Sequence, residues 1–521
     1  MRTPLSIIIS AFLISSNFCS EAKKAMVVPL SLNELVNQVV LRNARAIYQN
    51  LQFQISSHQV DFERGIFDPT FYVNLKSQKN NTPNNAQEAA TRQFESDYSD
   101  QTQSLEMGVN WLSRVGTQWR IDFAYDKHGS TVVDRFRNEP YEYTSGLEVN
   151  FRHPLARSQG RFSTQIKVSL AKKEKAIAFD EYRKALMDLI SLSISNYWSL
   201  YGAQQLSKSW YESLDLAKAQ LKDVQDRVKS GMAPKSLALE YQVAISQRKI
   251  ELDSIQAKIS NIHNQIFGLL AVSAAQNQDI VFELLDSPNL EQTRIPEIQS
   301  SFEMALENWP EYQIIQNRRQ VEMLKKEYAR NQILPQFDLV GNVGTTALDV
   351  SASRSLGDFA SDQYLSHYLG VEYRLPLDRS SAHSNYQIAE LRLKQAQLQI
   401  DSLIRTLYNG IVDKIGSLRL KKSQMKEYEH ALSLRRKLLE VSRERLEYGK
   451  ISISQLLEEE DKVIDHQRKQ MNGVVELKIS EASLQKAQGT LLGRFDIKIE
   501  EIDSQEELVL DGKVPFQYGD S

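Results

Sequence analysis

Two stretches, from about Gly160 to Ser230 and from about Ser380 to Tyr448, contain no proline and few glycines. Each runs for roughly 70 residues, which predicts one uninterrupted helix on the order of 100 Å long at about 1.5 Å of rise per residue. No single globular domain needs such a rod. In the first, Trp210, Leu214, Ala217, Leu221, Val224 and Val228 alternate spacings of four and three. In the second, Leu434, Leu438 and Val441 repeat the pattern, and Arg445 takes the next place. That is the seam of a coiled coil. Both rods begin after a short alternating segment that ends in proline, at Pro154-Leu155 and Pro376-Leu377. Both end in the same kind of turn. Arg227 leads to Gly231 and Pro234 in the first, and Arg445 leads to Gly449 and Ser452 in the second. The chain is therefore read as a duplicated strand-to-long-helix unit.

The duplication divides the 521 residues into a first repeat at 23–278, a connector at 279–300, a second repeat at 301–499 and a polar tail at 500–521. The long helix pairs are expected at 160–270 and 380–492. A formal net charge of −3 gives no electrostatic case for a nucleic-acid partner. At the N-terminus, Arg2 precedes an apolar run from Leu5 to Ile14, followed by small and polar residues up to Ala22. This reads as a secretory signal peptide over 1–22, cut after Ala22. The single cysteine, Cys19, lies inside it, so a mature chain cut there has no thiol. A lipoprotein signal would instead make Cys19 the acylated first residue. Phe18 is bulky where such a signal takes a small residue, and this weighs against it. No later apolar run is long enough for a transmembrane helix.

Between the signal and the first rod, Ser31 to Glu63 reads as helix, with Ser31 and Glu34 placed as a capping box. Period-two alternation then recurs in four segments within 71–153: Phe71–Leu75, Leu105–Trp111, Trp119–Tyr125 and Leu147–Phe151. Polar stretches at 80–103 and 126–142 read as long loops, and Ser113–Gly116 as a tight turn. The second repeat opens with helix from Ser301 to Ile333 and shows only two such segments, within 337–376. Trp111, Trp119, Phe123, Val149, Tyr373 and Leu375 fall on the apolar face, while Gly108, Asn110 and Asn150 fall on the other. A soluble sheet with one wet face is one reading. The aromatic-rich apolar face, and connections that run long, short, long, favour a membrane barrel with that face toward lipid.

No constellation for catalysis stands out. None of the eight histidines pairs with another at a helical ligand spacing, so no metal, cofactor or enzymatic chemistry is expected. Gly341 and Gly344 are strand glycines with no phosphate-loop context, and the acidic run Glu458–Asp461 reads first as a solvated helix face. Two classes of function remain: a passive conduit, or an exported coiled-coil surface or structural protein with no channel.

The ordered set of marks, twice over, resembles the TolC family of outer-membrane efflux channels across essentially the whole mature chain. These marks are the duplication, the strand–Pro–Leu lead-in to each long helix, and the Arg-x-x-x-Gly-x-x-Ser/Pro turn followed by Leu and an acid. The resemblance implies an α+β membrane protein: a trimeric transmembrane β-barrel continued by a long coiled-coil α-helical periplasmic barrel, internally duplicated. It implies a homotrimer set in outer-membrane lipid that works with a periplasmic adaptor protein and an inner-membrane transporter. Cargo would be drugs, metals or, as in type I secretion, protein. Arg227, Gly231, Arg445, Gly449 and Ser452 match the family's adaptor-docking tips, although Pro234 replaces the tip serine in the first half. Glu458 matches an acid at the closed periplasmic gate. Gln455 stands where the family carries a second acid, and Glu240 occupies the equivalent of Glu458 in the first half. Members usually give two strands per half, so the additional Leu105–Tyr125 hairpin points to six strands per protomer and a wider barrel, with the choice between four and six left open by the sequence.

Overall fold

The computed structural model describes residues 26–92, 96–273, 280–289, 293–358, 364–497 and 499. The signal segment with Cys19 and the tail from residue 500 lie outside the described residues. In chain order the elements begin with β1 (Met26–Leu30), α1 (Leu32–Arg42), α2 (Ala44–Arg64), β2 (Thr70–Pro83), α3 (Ala86–Thr91), β3 (Asp97–Leu112) and β4 (Gln118–Ser130). Next come α4 (Thr131–Arg137), β5 (Glu142–Pro154), α5 (Gly160–Thr164), the 64-residue α6 (Ile166–Lys229), α7 (Lys235–Leu269) and β6 (Ile280–Leu284). The second half contains α8 (Ile298–Asn308), α9 (Pro310–Gln332), β7 (Gln336–Asp349), α10 (Ala352–Asp358) and β8 (Leu365–Arg374). It closes with the 68-residue α11 (Ser380–Glu447), α12 (Ile453–Ala487) and α13 (Leu491–Arg494).

The chain divides into two compact units. Among the described residues, the first comprises the chain from residue 26 to Ile47, Leu186–Ala305 and Gly410–Ile497. Its core is mostly aliphatic: Leu35, Val36, Val39, Leu186, Ile190, Ile194, Leu200, Ile266, Ile411 and Ile415 are all buried, with Tyr197, Trp198 and Phe267 among them. The Ser31 hydroxyl accepts from the Glu34 amide at 3.2 Å and starts α1, which is one of the two bonds of the expected capping box. The carboxylate of Asp286 caps the same helix end from far away in sequence, accepting from the Leu32 amide at 2.7 Å. The Tyr197 hydroxyl donates to Asp286 at 2.8 Å, and burial pushes its phenol above the ordinary range. Asp286 and Tyr197 tie together a feature the sequence did not suggest. β1 and β6 pair in parallel, Met26 with Ile280 through Leu30 with Leu284, so the connector holds a strand.

Among the described residues, the second unit comprises Tyr48–Ala185 and Leu306–Asn409. Its sheet has six strands in the order β2-β3-β4-β5-β7-β8, each antiparallel to the next. The polar stretches read as loops are strand at their ends and short helix between. β2 and β3 stay paired from Thr70 with Asn110 up to Pro83 with Asp97, and β4 continues to Ser130. Alternation of apolar residues marks only the part of a strand that has an apolar face. Beyond it the backbone ladder alone sustains the pairing. The remaining polar residues form the short helices α3 and α4. Asn85 caps α3 in a reciprocal capping box with Glu88. Leu375, expected on the last strand, stands one residue beyond it.

Candidate functional site

Register places whole rows of side chains on one face of the sheet. Phe71, Val109, Ile121, Val149 and Val343 are successive cross-strand partners, and Trp111, Trp119, Phe151 and Gly341 form the next such row but one. Trp111 stacks on Trp119 with centroids 6.0 Å apart, Trp119 meets Phe151 at 5.5 Å, and Phe337 meets Tyr373 at 6.3 Å. All five rings lie at the strand ends nearer α5 and α11. At the other end Tyr125 stacks on Tyr143 at 6.1 Å. The residues between the two aromatic rows are mostly apolar, among them Met107, Ile121, Phe123, Leu147 and Val149, with His367 and Thr345 the polar exceptions towards β7 and β8. This face therefore reads ring, apolar band, ring, which matches the aromatic girdles of a membrane-embedded wall. Trp111, Trp119, Phe123, Val149 and Tyr373 all share it.

The opposite face is charged and hydrogen-bonded. Arg120 Nε donates to Asp122 at 2.6 Å, and Tyr72 donates to the same carboxylate. Arg152 bridges Asp338 at 2.8 Å and Glu372 at 2.7 Å, joining β5, β7 and β8. Asn342 donates to Glu148 and, at 2.8 Å, to Asn150. Gly108, on this face, leaves no room for a side chain. A Cβ there would come within 2.6 Å of both Asp122 Oδ1 and the Ile121 carbonyl oxygen.

In the first unit the two helix turns share one geometry. Gly231 has φ +74° and Gly449 has φ +66°, a left-handed conformation that glycine adopts at little cost. The Met232 amide donates to the Arg227 carbonyl at 2.8 Å, and the Lys450 amide to the Arg445 carbonyl at 2.9 Å. This is the six-to-one bond of a Schellman cap. Arg227 also pairs with Asp223 at 3.0 Å, and Arg445 is exposed. The following helices start differently. Ser452 and Gln455 form a reciprocal capping box for α12, whereas Pro234 offers α7 no side-chain cap.

The three consecutive glutamates just after the second turn go three ways. Glu458 is exposed and pairs with Lys462 at 2.7 Å, which holds its carboxyl below the usual range. Glu459 is shared by Lys462 at 3.0 Å and Arg435 at 3.4 Å. Glu460 is buried, with Arg248 and Arg443 at 3.3 and 3.4 Å. Glu240 accepts from the Ser454 hydroxyl at 2.7 Å. Arg248 was not singled out from the sequence. It is fully buried on α7, between Tyr241 and Ala244 on one side and Leu252 and Ile255 on the other. An arginine in an otherwise apolar three-and-four spacing was the available signal. Among the described residues, no group of three potential ligands is placed to hold a metal ion.

Residues 302–490 match the family described as outer membrane efflux protein. The efflux-protein fold extends well beyond that match, because solved structures align over most of the chain. The CmeC outer membrane channel of Campylobacter jejuni superimposes with a TM-score of 0.62 at 14% identity, covering 88% of this chain and 85% of that one. The outer membrane protein VceC of Vibrio cholerae gives 0.59 at 15%, covering 88% and 96%. The MtrE outer membrane channel of Neisseria gonorrhoeae, solved in its open state, gives 0.60 at 13%, covering 88% of each chain. No curated protein sequence matches the chain. The likeness in fold covers both halves of the chain.

Proposed function

We propose that this efflux protein assembles as a homotrimer in the outer membrane and serves as the passive exit conduit of a tripartite export system. A periplasmic adaptor and an inner-membrane transporter would load it. The observation that carries this reading is the two-faced sheet, with aromatic rows bordering an apolar band on one side and ion pairs covering the other. Lipid suits the first face and a water-filled lumen the second. The edge strands β2 and β8 are exposed, and inside a bilayer their free backbone groups need partners from other copies. The test is direct. The protein should fractionate with outer membranes and migrate as a trimer that heat converts to monomer. A soluble or surface-bound monomer would instead support the coiled-coil structural alternative.

Within this reading the two Schellman turns are the adaptor-docking tips. Charge reversal at Arg445 is expected to abolish export while leaving trimers intact, and unchanged export would remove the docking role. Glu458, exposed near the start of α12, is the gate acid. Threefold symmetry makes it a ring of three carboxylates, with Glu240 nearby. Gln455, committed to capping α12, adds no charge, so block by divalent or trivalent cations should be weak. In planar bilayers Glu458→Gln should lower cation selectivity and Glu459→Gln should not. Equal behaviour of the two would displace Glu458 from the gate.

A further inference from the structure

The hairpin β3–β4 lies in the middle of the sheet. β3 is paired with β2 along one side and with β4 along the other, and β4 pairs with β5 from Gln118–Arg152 to His128–Glu142. The alternation of faces stays in phase across it, so that Val109 and Ile121 continue the apolar row running from Phe71 to Val343. Taking the hairpin out of the wall would break that row and leave the polar pairs of Arg120, Asp122 and Tyr72 without a common face. Six strands, each antiparallel to its neighbour, leave β2 and β8 running in opposite directions at the two edges. A second copy can therefore bring its β2 against β8 in the same antiparallel sense, and head-to-tail repetition closes a ring with no free edge.

We infer that the outer-membrane pore of this protein is a barrel of eighteen strands, six from each of three copies, and that it is wide and does not select cargo by size. This rests on the trimeric reading above. With strands ~4.8 Å apart and tilted by ~40°, eighteen strands enclose a backbone diameter of ~36 Å, against ~24 Å for the twelve that four strands per copy would make. Side chains of ~5 Å on each wall would leave roughly 25 Å open, the regime in which barrels hold an aqueous channel. The long polar side chains do not fill that space. Arg120 is tied to Asp122 two residues away on its own strand, and Arg152 to Asp338 and Glu372 on the adjacent two. Each guanidinium is thereby held along the wall. The exit pore would pass hydrated solutes as bulky as a short polypeptide segment, leaving any size limit to the helical part of the conduit.

Electron cryomicroscopy of the full-length trimer in lipid nanodiscs decides it. The expected result is eighteen strands and a backbone diameter of ~36 Å in the membrane. A closed wall of twelve strands with β3–β4 outside it would overturn the inference while leaving the conduit reading in place. Absence of a trimer would instead remove the conduit reading and the inference together. As a second readout, deletion of residues 97–130 joins β2 to β5 in the antiparallel sense. Trimers that still form should narrow by about one third in diameter, and an unchanged diameter would also overturn the proposal.

Discussion

The two halves carry apolar seams of the same spacing, and the seams meet opposite fates. In the first, Leu214, Ala217 and Val224 are buried at 5%, 0% and 4% exposure. Val224 packs with Tyr241 and Ala244 of α7 and Leu457 of α12, and Leu221 and Val228 close the cluster. In the second, Leu434, Leu438 and Val441 remain 46%, 50% and 43% exposed. One stripe is satisfied by the chain's own helices. The other stays open to solvent in a single copy, and under the trimeric proposal it is the surface that a neighbouring copy would cover. Equal periodicity therefore says which face of a helix wants burial, and nothing about whose surface will bury it.

Breaking each seam should separate folding from assembly. The largest effect is expected for Ala217→Asp, which places a carboxylate in a fully buried position and should unfold the chain. Leu438→Asp should leave the far-ultraviolet circular dichroism of the monomer unchanged while abolishing trimers on unheated gels. If Leu438→Asp unfolds the monomer as well, the contrast between the seams is wrong.

Next comes the ion cluster beside the closed seam. Arg248→Ala leaves Glu460 buried with only Arg443 beside it, and should cost about 3–5 kcal/mol in denaturant unfolding. Asp461, the half-exposed second carboxylate on Arg248, has its pKa raised by burial more than the arginine lowers it. A carboxyl whose folded value is raised contributes stability at low pH and loses it as pH climbs from about 4 through the raised value. Compared with Asp461→Asn, the parent chain should therefore lose stability across that window. A difference that does not vary with pH would refute the assignment.

The sheet offers a second exposed apolar surface with which to sharpen the comparison. Val149→Arg on the apolar face should cost roughly 2–4 kcal/mol of membrane assembly, whereas Asn150→Arg should leave trimer yield near that of the parent. Equal damage would sink the distinction between faces. The smallest effect belongs to the turns. Ser452→Ala removes the cap of α12 and should lower stability by about 1 kcal/mol, and Pro234→Ser, at a start that lacks a side-chain cap, should not lower it. A larger loss at Pro234 would show that proline rigidity, more than capping, sets the first turn.

Sequence alone determined what depends on near neighbours. Proline-free length set the long helices, Gly231 and Gly449 set their ends, the Ser31 cap set the start of α1, and period two set the facing of the strands in the six-stranded sheet. These are read from a few consecutive residues because backbone sterics and side-chain direction act over that range. Tertiary structure decided whatever needed a distant partner. The parallel pairing of β1 with β6 and the capping of α1 by Asp286 join residues more than 200 positions apart. The polar outer ends of β2 and β3 are strands only because each completes the other's ladder. Arg248 is tolerated in an apolar seam because Glu460 and Asp461 arrive from α12. Gly108 is required because Asp122 and Tyr72 approach from the two flanking strands. In each case the free energy belongs to a pair, and one member's sequence context carries no trace of the other.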